Sequence, residues 1–172
     1  MSKTHLNIEI KARCSKPDKI RQILQSHQAD FKGIDHQIDT YFNCTTGRLK
    51  LREGNIENSL IHYNRSDDAK PKASIVTLEK IAPNSNIKAV LTNALGVKVV
   101  VDKHRGIYFI ENVKFHLDEV KGLGSFVEIE AIDVDGSIGE PKLQEQCAFY
   151  MELFGVGEED LVRVSYSDLL LK

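Results

Sequence analysis

The sequence predicts an α+β fold dominated by antiparallel β-structure. Three observations predict it: most segments alternate apolar and polar residues with a period of two, the connections are short, and only a few stretches show helical periodicity. The chain has 172 residues, which suits a single domain spanning 1–172. A sheet of about eight strands is near the size at which sheets close into barrels.

The alternation is clearest at the N-terminus, where Leu6, Ile8 and Ile10 interleave with polar residues and form the apolar face of a strand. Gly106 and the segment 122–124 are predicted to connect strands. Further strands are predicted, in chain order, at about 37–43, 48–52, 60–65, 74–80, 97–105, 107–110, 113–120 and 126–134.

Helices are predicted at about 16–29, between Ser85 and Gly96, at 141–154 and, briefly, at 167–171. Ser15 and Asp18 resemble a capping box before the first helix, and Pro17 suits its first turn. Each longer stretch places apolar residues on one side of the helix, so each is expected to pack against the sheet.

The charges nearly balance, with 23 Lys and Arg against 25 Asp and Glu and a formal net charge of −2. Coating nucleic acid or an anionic membrane needs a basic excess, so neither partner is predicted. Apolar runs are far shorter than the roughly 20 residues that span a bilayer. The first residues also lack the pattern of a secretory signal, and we therefore expect a cytoplasmic protein.

The three cysteines, Cys14, Cys44 and Cys147, have no C-x-x-C spacing. Neither a disulfide framework nor a thiolate zinc site is indicated, and each cysteine is interpreted as a small buried hydrophobe.

Acidic and basic residues are segregated on different strand faces. Glu128 and Glu130 share one face, and carboxylates at i and i+2 lie about 7 Å apart, within reach of one hard cation or a pair. Magnesium takes one or two carboxylates and completes its shell with waters and phosphates, which fits Glu9, Asp118, Glu128 and Glu130 facing a polyphosphate. The alternative is a set of solvated strand faces.

The basic set has complementary chemistry, because Lys and Arg donate to phosphate oxygens. It comprises Arg48, Lys50, Arg52, Lys103 and Arg105. The alternative is an exposed stripe that balances nearby acids. Three valines precede Lys103 and Arg105 with the same parity, so alternation alone does not assign these two residues to an inward face.

Several motifs, in order, resemble the CYTH superfamily, the triphosphate tunnel metalloenzymes. The N-terminal N-I-E-I-K (Asn7, Glu9, Lys11) resembles the E-x-E-x-K signature of that superfamily. Similar stretches are D-T-Y-F at 39–42, R-L-K-L-R at 48–52, K-H-R at 103–105 and H-L-D-E-V-K-G-L-G-S-F-V-E-I-E at 116–130. The resemblance is greatest to the class IV adenylate cyclase branch and extends to thiamine triphosphatase.

The resemblance implies a closed eight-stranded antiparallel barrel with flanking helices, whose lumen holds a triphosphate with Mg²⁺ or Mn²⁺. The implied metal ligands are Glu9, Asp118, Glu128 and Glu130. The implied phosphate-binding residues are Lys11, Lys50, Arg52, Arg65, Lys103 and Arg105. Lys11, Arg52 and Lys103 are the expected catalytic residues.

Two residues depart from the family pattern. Asn7 stands where the signature begins with Glu, which removes a negative charge from the metal end but keeps an oxygen ligand. Asn64 stands where a family stretch ends in Lys, which removes a phosphate contact unless Arg65 compensates.

Three functions follow. The leading one is a class IV cyclase reaction that converts ATP into cyclic AMP and pyrophosphate, with Lys11 or metal-assisted deprotonation as alternative sources of base catalysis. The runner-up is hydrolysis of tripolyphosphate, thiamine triphosphate or a nucleoside triphosphate in the same tunnel. The third is a binding module that holds a polyphosphate without turnover.

Two further expectations concern the ligand's organic end and the outer faces. Tyr41, Tyr63 and Phe126 are candidates for stacking on a base, with packing as the alternative. The apolar face that includes Ile8 and Ile129 would point outward from a tunnel, so it needs covering by helices or by a second subunit, and a homodimer is expected.

Overall fold

Eight antiparallel strands close into a barrel in a computed structural model that describes residues 3–64 and 72–172. Neighbours around the barrel follow the order β1-β5-β4-β3-β2-β6-β7-β8. The strands are β1 (Lys3–Arg13), β2 (Asp30–Phe42), β3 (Arg48–Glu53), β4 (Asn58–Asn64), β5 (Lys72–Lys80), β6 (Val97–Ile110), β7 (Val113–Val120) and β8 (Gly124–Asp133). The predicted α+β barrel is therefore confirmed.

The prediction of a connection at Gly106 is wrong, because β6 runs without interruption through it and Gly106 pairs with Leu117 of β7. A Cβ at Gly106 would lie 3.3 Å from the ring of Tyr108, so the glycine permits a close approach inside the strand. β2 also begins at Asp30, earlier than predicted. A bulge between Phe31 and Gly33 breaks the period there and hides the first part of this strand from pattern analysis.

Four helices flank the barrel: α1 (Pro17–Ser26), α2 (Ile87–Leu95), α3 (Glu140–Leu153) and α4 (Tyr166–Leu170). The predicted capping box at Ser15 is wrong, since Lys16 occupies the N-cap without a side-chain hydrogen bond and Asp18 pairs with Arg21. A true capping box lies at α4, where Ser165 and Asp168 bond each other's backbone amides. No helix in the described ranges is long and apolar enough to cross a membrane.

The main apolar core lies outside the barrel, between its wall and two helices. Ile8 of β1 and Ile129 of β8 point outward and are buried against Leu24 of α1 and Leu143 of α3. Helices of the same chain thus cover the faces for which helices or a second subunit were expected. Burial of such side chains is the dominant stabilising contribution in folds of this kind.

The cysteines divide between core and surface, and the structure describes all three as free thiols. Cys14 and Cys147 are buried, as predicted. Cys44 is exposed, so the prediction that it is buried is wrong. It lies in the β2–β3 connection, where its thiol is directed at the carbonyls of Thr46 and Gly47.

A second apolar cluster closes one end of the barrel. Tyr41 of β2 and Tyr166 of α4 pack there against Val101, Val120 and Phe126. This explains the valines that precede Lys103 on the same face of β6: Val101 belongs to the closed end, and the residues that follow continue the face into the lumen. One strand face is therefore apolar at one level of the barrel and charged at the next.

Candidate active site

The barrel encloses a cavity lined by side chains from all eight strands. Its empty space is about 870 Å³, a figure that includes the open mouth. Eight predicted site residues line it: Glu9, Lys11, Lys50, Arg52, Lys103, Arg105, Glu128 and Glu130. Asp118 does not line the cavity, and Arg65 lies outside the described residues.

Asp39 holds three of the predicted phosphate-binding cations together. Its carboxylate accepts two hydrogen bonds from Arg52 at 2.9 and 2.8 Å and one from Lys103 at 2.7 Å, and Lys50 lies 3.3 Å away. Burial acts to raise the pKa of Asp39, but these cations hold it well below its usual value. A single buried carboxylate thus orders and partly neutralises a dense set of donors.

Burial has the opposite effect on Lys103, whose side chain is almost inaccessible to solvent. Desolvation lowers the pKa of its amine to about 7, although Asp39 acts to raise it. Asp39 is shared with Arg52 and Lys50, so an anion bound in the cavity would add counter-charge to this amine.

Arg105 is the centre of a second cluster. It donates two hydrogen bonds of 2.7 Å to Asp118 and one of 3.1 Å to Glu128, and the hydroxyl of Tyr166 donates to Asp118 at 2.8 Å. Burial acts to raise the pKa of Glu128, but Arg105 holds it well below its usual value. In this arrangement Asp118 orients Arg105, and its predicted role as a metal ligand stays a prediction.

Two further cations lie close to α4, at the closed end. The amine of Lys11 donates to the carbonyl of Val164 at 3.4 Å and lies 4.2 Å from the centre of the Tyr166 ring. Arg48 pairs with Asp168 at 2.6 Å. Helix α4 and the residues just before it therefore help to position Lys11 and Arg48 as well as closing the barrel.

Glu57 was not predicted from the sequence, and it enters the site from the β3–β4 loop. Its carboxylate pairs with Lys114, accepts a hydrogen bond from Gln37 at 3.0 Å and contacts Arg52 at 3.4 Å. Two backbone amides of the loop donate to the buried Asp35 at 2.9 and 3.0 Å, which anchors the segment. A loop residue has no strand periodicity, so no sequence signal marked it.

Carboxylates gather on the other side of the lumen, where Asn7 donates through its amide nitrogen to Glu130. Burial raises the pKa of Glu130, and the negative charges of Glu9 and Glu128 raise it further. In the described part of the chain, Asn7 Oδ1 and His116 Nε2 are buried without a hydrogen-bond partner. A divalent cation would relieve this repulsion and could use such acceptors.

The carboxylates do not form a ready-made metal cluster: within residues 3–64 and 72–172, no three His, Cys, Asp or Glu side chains gather as one. One or two carboxylates are nevertheless enough to hold a hard cation such as Mg²⁺ when waters and phosphate oxygens complete the shell. Among the described residues, the cavity and its surrounding ion pairs contain six basic side chains (Lys11, Lys50, Arg52, Lys103, Arg105, Lys114) and six acidic ones (Glu9, Asp39, Glu57, Asp118, Glu128, Glu130). Formally these charges cancel, so a highly charged anion would enter most favourably together with metal cations.

The structure gives different positions to the three aromatic candidates for stacking and to Asn64. Tyr41 and Tyr63 line the cavity, whereas Phe126 packs edge-on against Tyr166 with ring centres 4.9 Å apart. Asn64 is exposed and does not line the cavity. Among the residues described, its departure from the family pattern therefore removes no charge from the lumen.

His116 and Glu130 are expected to make the free energy of unfolding change with pH in opposite directions between pH 4.5 and 6. Desolvation lowers the pKa of His116 from 6.5 to about 4, so only the unfolded chain binds this proton and stability falls on acidification. The raised pKa of Glu130 makes the folded chain hold a proton that the unfolded chain releases, so stability falls as pH rises.

The two effects offset each other in the native protein and should be separable by mutation. Relative to the native protein, we expect the unfolding free energy of His116→Asn to rise less steeply with pH and that of Glu130→Gln to rise more steeply. Each change of slope is at most about 1.4 kcal/mol per pH unit. Guanidinium titrations at several pH values measure both slopes, and changes in the same direction for the two variants would contradict the assigned environments.

Comparison with known proteins places these features in a family. The CYTH domain family matches residues 5–166. A Methanocaldococcus jannaschii protein named "Putative adenylate cyclase" is 25% identical, in an alignment that covers 95% of this chain and 98% of that protein. The structure of the Pyrococcus horikoshii protein PH1012 is 26% identical, with a TM-score of 0.78 and coverage of 95% and 98%.

The structure of a Hippeastrum protein, described as a putative adenylyl cyclase with a dominant triphosphatase activity, is 13% identical with a TM-score of 0.62. The match covers 97% of this chain and 94% of that chain. At this identity the likeness shows a shared fold alone. The family match covers nearly the whole barrel and both charged clusters. The chain belongs to the CYTH domain family.

Proposed function

We propose that the protein is a divalent-metal-dependent enzyme that acts on a triphosphate, and that its reaction converts ATP into cyclic AMP and pyrophosphate. The observation that carries the proposal is that an ordered set of cations and a set of carboxylates line the lumen of one closed barrel. The name of the M. jannaschii relative supports cyclisation over other reactions of a triphosphate.

The basic side chains have the task of binding and orienting phosphates. Lys50, Arg52 and Lys103 converge on Asp39, so they present donors from one side, and Arg105 presents its guanidinium from another. Because these groups are held by ion pairs before any ligand arrives, little reorganisation accompanies the shift of charge in the reaction. Arg52, Lys103 and Lys11 are the proposed catalytic residues.

Glu9, Glu128 and Glu130 are the proposed metal-holding residues, with Asp118 as a fourth. A bound Mg²⁺ or Mn²⁺ would supply charge neutralisation at the phosphate oxygens and orient the triphosphate. In the proposed reaction the ribose 3′-oxygen forms a bond to the α-phosphorus while the bond to the bridging oxygen breaks. Pyrophosphate leaves with that electron pair, and Lys11, when its amine is neutral, is the candidate acceptor of the 3′-hydroxyl proton.

Triphosphate hydrolysis is the second candidate. The same cations would hold the same phosphates, and the reactions differ in which phosphorus meets which nucleophile. The Hippeastrum protein, which shares the fold, is described by such an activity. Binding without turnover is a third candidate, for which Asn7 is the motivating feature.

Product identification distinguishes these functions. Purified protein is incubated with ATP, thiamine triphosphate or tripolyphosphate, together with Mg²⁺, Mn²⁺ or EDTA, and the products are separated by chromatography. Cyclic AMP with pyrophosphate supports cyclisation, orthophosphate supports hydrolysis, and an unchanged but bound ligand supports the binding module. Absence of both binding and turnover with every ligand would overturn the proposal.

Replacing Asn7 with Glu tests the metal end directly. We expect Asn7→Glu to lower the unfolding free energy by about 1–3 kcal/mol without metal, because a carboxylate would replace the amide that donates to Glu130. Mg²⁺ or Mn²⁺ should restore stability more steeply than in the native protein. Thermal unfolding with metal titration measures this effect, and an unchanged metal dependence would mean that position 7 is not a ligand.

Location and assembly complete the proposal. We propose a cytoplasmic protein, which is supported by free thiols at Cys14, Cys44 and Cys147. A homodimer also stays a prediction, with light scattering as its test. The near balance of charge supports a small-molecule ligand and no nucleic-acid partner.

A further inference from the structure

An ion pair crosses the barrel at the end opposite α4. Glu57 follows β3, whereas Lys114 lies on β7, and the strands β2 and β6 separate β3 from β7 in the barrel wall. The two side chains nevertheless pair with each other, and both line the cavity. The carboxylate of Glu57 also contacts the guanidinium of Arg52 at 3.4 Å. Glu57 therefore projects from its loop into the lumen.

The cavity reaches solvent at the level of Glu57. At the other end of the barrel, Tyr166 belongs to the apolar cluster that closes it, and Arg48 at the start of β3 pairs there with Asp168 of α4. Glu57 lies beyond the opposite end of β3, and its side chain is 26% exposed, against 1% for that of Lys103 inside the lumen. We call this end the Glu57 mouth.

The loop that carries Glu57 is held firmly in place. The backbone amides of Ile56 and Glu57 donate to the buried carboxylate of Asp35 at 2.9 and 3.0 Å. The side chain of Asn58 closes the same turn, because it bonds both the amide and the carbonyl of Gly54, at 3.2 and 2.9 Å. These bonds leave the backbone of Glu57 little freedom to withdraw from the mouth.

The charge of Glu57 is as well defined as its position. Burial acts to raise the pKa of its carboxyl, but Arg52 and Lys114 hold that pKa well below its usual value. Glu57 is therefore a carboxylate near neutral pH. Any anionic group of a ligand that reaches the Glu57 mouth meets this negative charge.

The phosphate-binding cations form a row that ends at Glu57. Towards the closed end, the amine of Lys103 lies 5.9 Å from the centre of the Tyr166 ring. Asp39 links this amine to Arg52, whose guanidinium contacts Glu57. An anion that occupies the row has counter-charges along its length and a carboxylate beyond its outer end. A longer anion would place its next negative group against Glu57, and juxtaposed like charges oppose binding.

We infer that Glu57 is a specificity-determining residue that limits the length of the phosphate chain the lumen accepts. The inference rests on the proposed function, in which a triphosphate occupies the cations, and it adds that a fourth phosphate is excluded by charge. Such selection works through a repulsive element directed against the wrong ligand. Lys114 moderates the repulsion, because it is the cation with which Glu57 pairs across the lumen.

The test compares tripolyphosphate with tetrapolyphosphate. Isothermal titration calorimetry measures both dissociation constants, in EDTA to prevent metal-dependent turnover and again with Mg²⁺. Glu57→Gln removes the charge but keeps the size of the side chain, whereas Lys114→Met leaves the charge of Glu57 unpaired. Glu53→Gln is the matched control, because Glu53 lies close by on β3 but pairs with the exposed Lys88 and does not line the cavity.

We expect the native protein to bind tetrapolyphosphate about tenfold more weakly than tripolyphosphate, although the longer anion carries more charge. Glu57→Gln should reduce this ratio to about one, and Lys114→Met should raise it above the native value. The two variants thus move the ratio in opposite directions, which a purely structural role of the ion pair would not produce. Glu53→Gln should leave the ratio within about twofold of the native value.

An unchanged ratio in Glu57→Gln, shifts in the same direction for Glu57→Gln and Lys114→Met, or equal affinities of the native protein for the two anions would overturn the inference while the proposed function stands. If the native protein binds neither anion, the inference also fails, and turnover of ATP then decides whether the proposed function fails with it. Thermal unfolding establishes that each variant is folded, and Lys114→Met decides the matter if Glu57→Gln is not.

Discussion

Replacing Arg105 with Met is expected to lower kcat/KM by about 10³ and the unfolding free energy by about 3–5 kcal/mol. Arg105 is buried and is the cation that Asp118 and Glu128 both contact. Without it, two carboxylates remain buried against each other's charge, and the guanidinium that would face a phosphate is lost. Steady-state kinetics and guanidinium denaturation measure the two effects.

A double variant separates stability from activity at this cluster. Arg105→Met with Asp118→Asn removes one of the stranded charges and should recover part of the lost unfolding free energy, but none of the activity. Arg105→Lys keeps the charge without the paired hydrogen bonds and should be intermediate in both measurements. Full activity in the stable double variant would mean that Arg105 serves only to balance charge.

Replacing Asp39 with Asn is expected to lower the unfolding free energy by about 3–5 kcal/mol in the absence of ligand. Asp39 is completely buried and is the shared partner of Arg52, Lys103 and Lys50. The amide would leave three cations close together without their counter-charge. Denaturant titration of the two proteins measures the difference.

Added tripolyphosphate should raise the unfolding free energy of Asp39→Asn more than that of the native protein, because the anion replaces the missing charge. At 100 times the dissociation constant, binding contributes about 2.7 kcal/mol. Asp102→Asn is the matched control, since Asp102 lies on the outer face of the neighbouring strand with the exposed His36 as partner. If tripolyphosphate stabilised Asp39→Asn no more than the control, the cation cluster would not be an anion site.

Most strands could be predicted because one side of each is apolar and the other polar, and this period survives in the sequence. The prediction failed where a bulge shifts the period, at the start of β2, and where a glycine inside β6 was interpreted as a turn. The direction of Lys103 was not predictable from alternation, because the same face carries Val101 at the closed end of the barrel.

The candidate site was predictable where its residues lie on strands and carry charge, as Glu128, Glu130, Lys50 and Arg52 do. The partners that order these residues were harder to find. Asp39 was seen only as part of a family motif, although its carboxylate organises three cations. Tyr166 comes from a short helix distant in sequence, and only the closed barrel brings it to Asp118.

If chemistry takes place inside the barrel, two lysines on β6 should respond differently to substitution. Lys103 lines the lumen, whereas Lys98 is exposed near the start of the same strand and does not line the cavity. With ATP and Mg²⁺ or Mn²⁺, the native protein and Lys98→Met should form cyclic AMP and pyrophosphate at equal rates. Lys103→Met should be slower by at least about 10². Equal rates for Lys103→Met and the native protein, or no product from the native protein, would contradict the account.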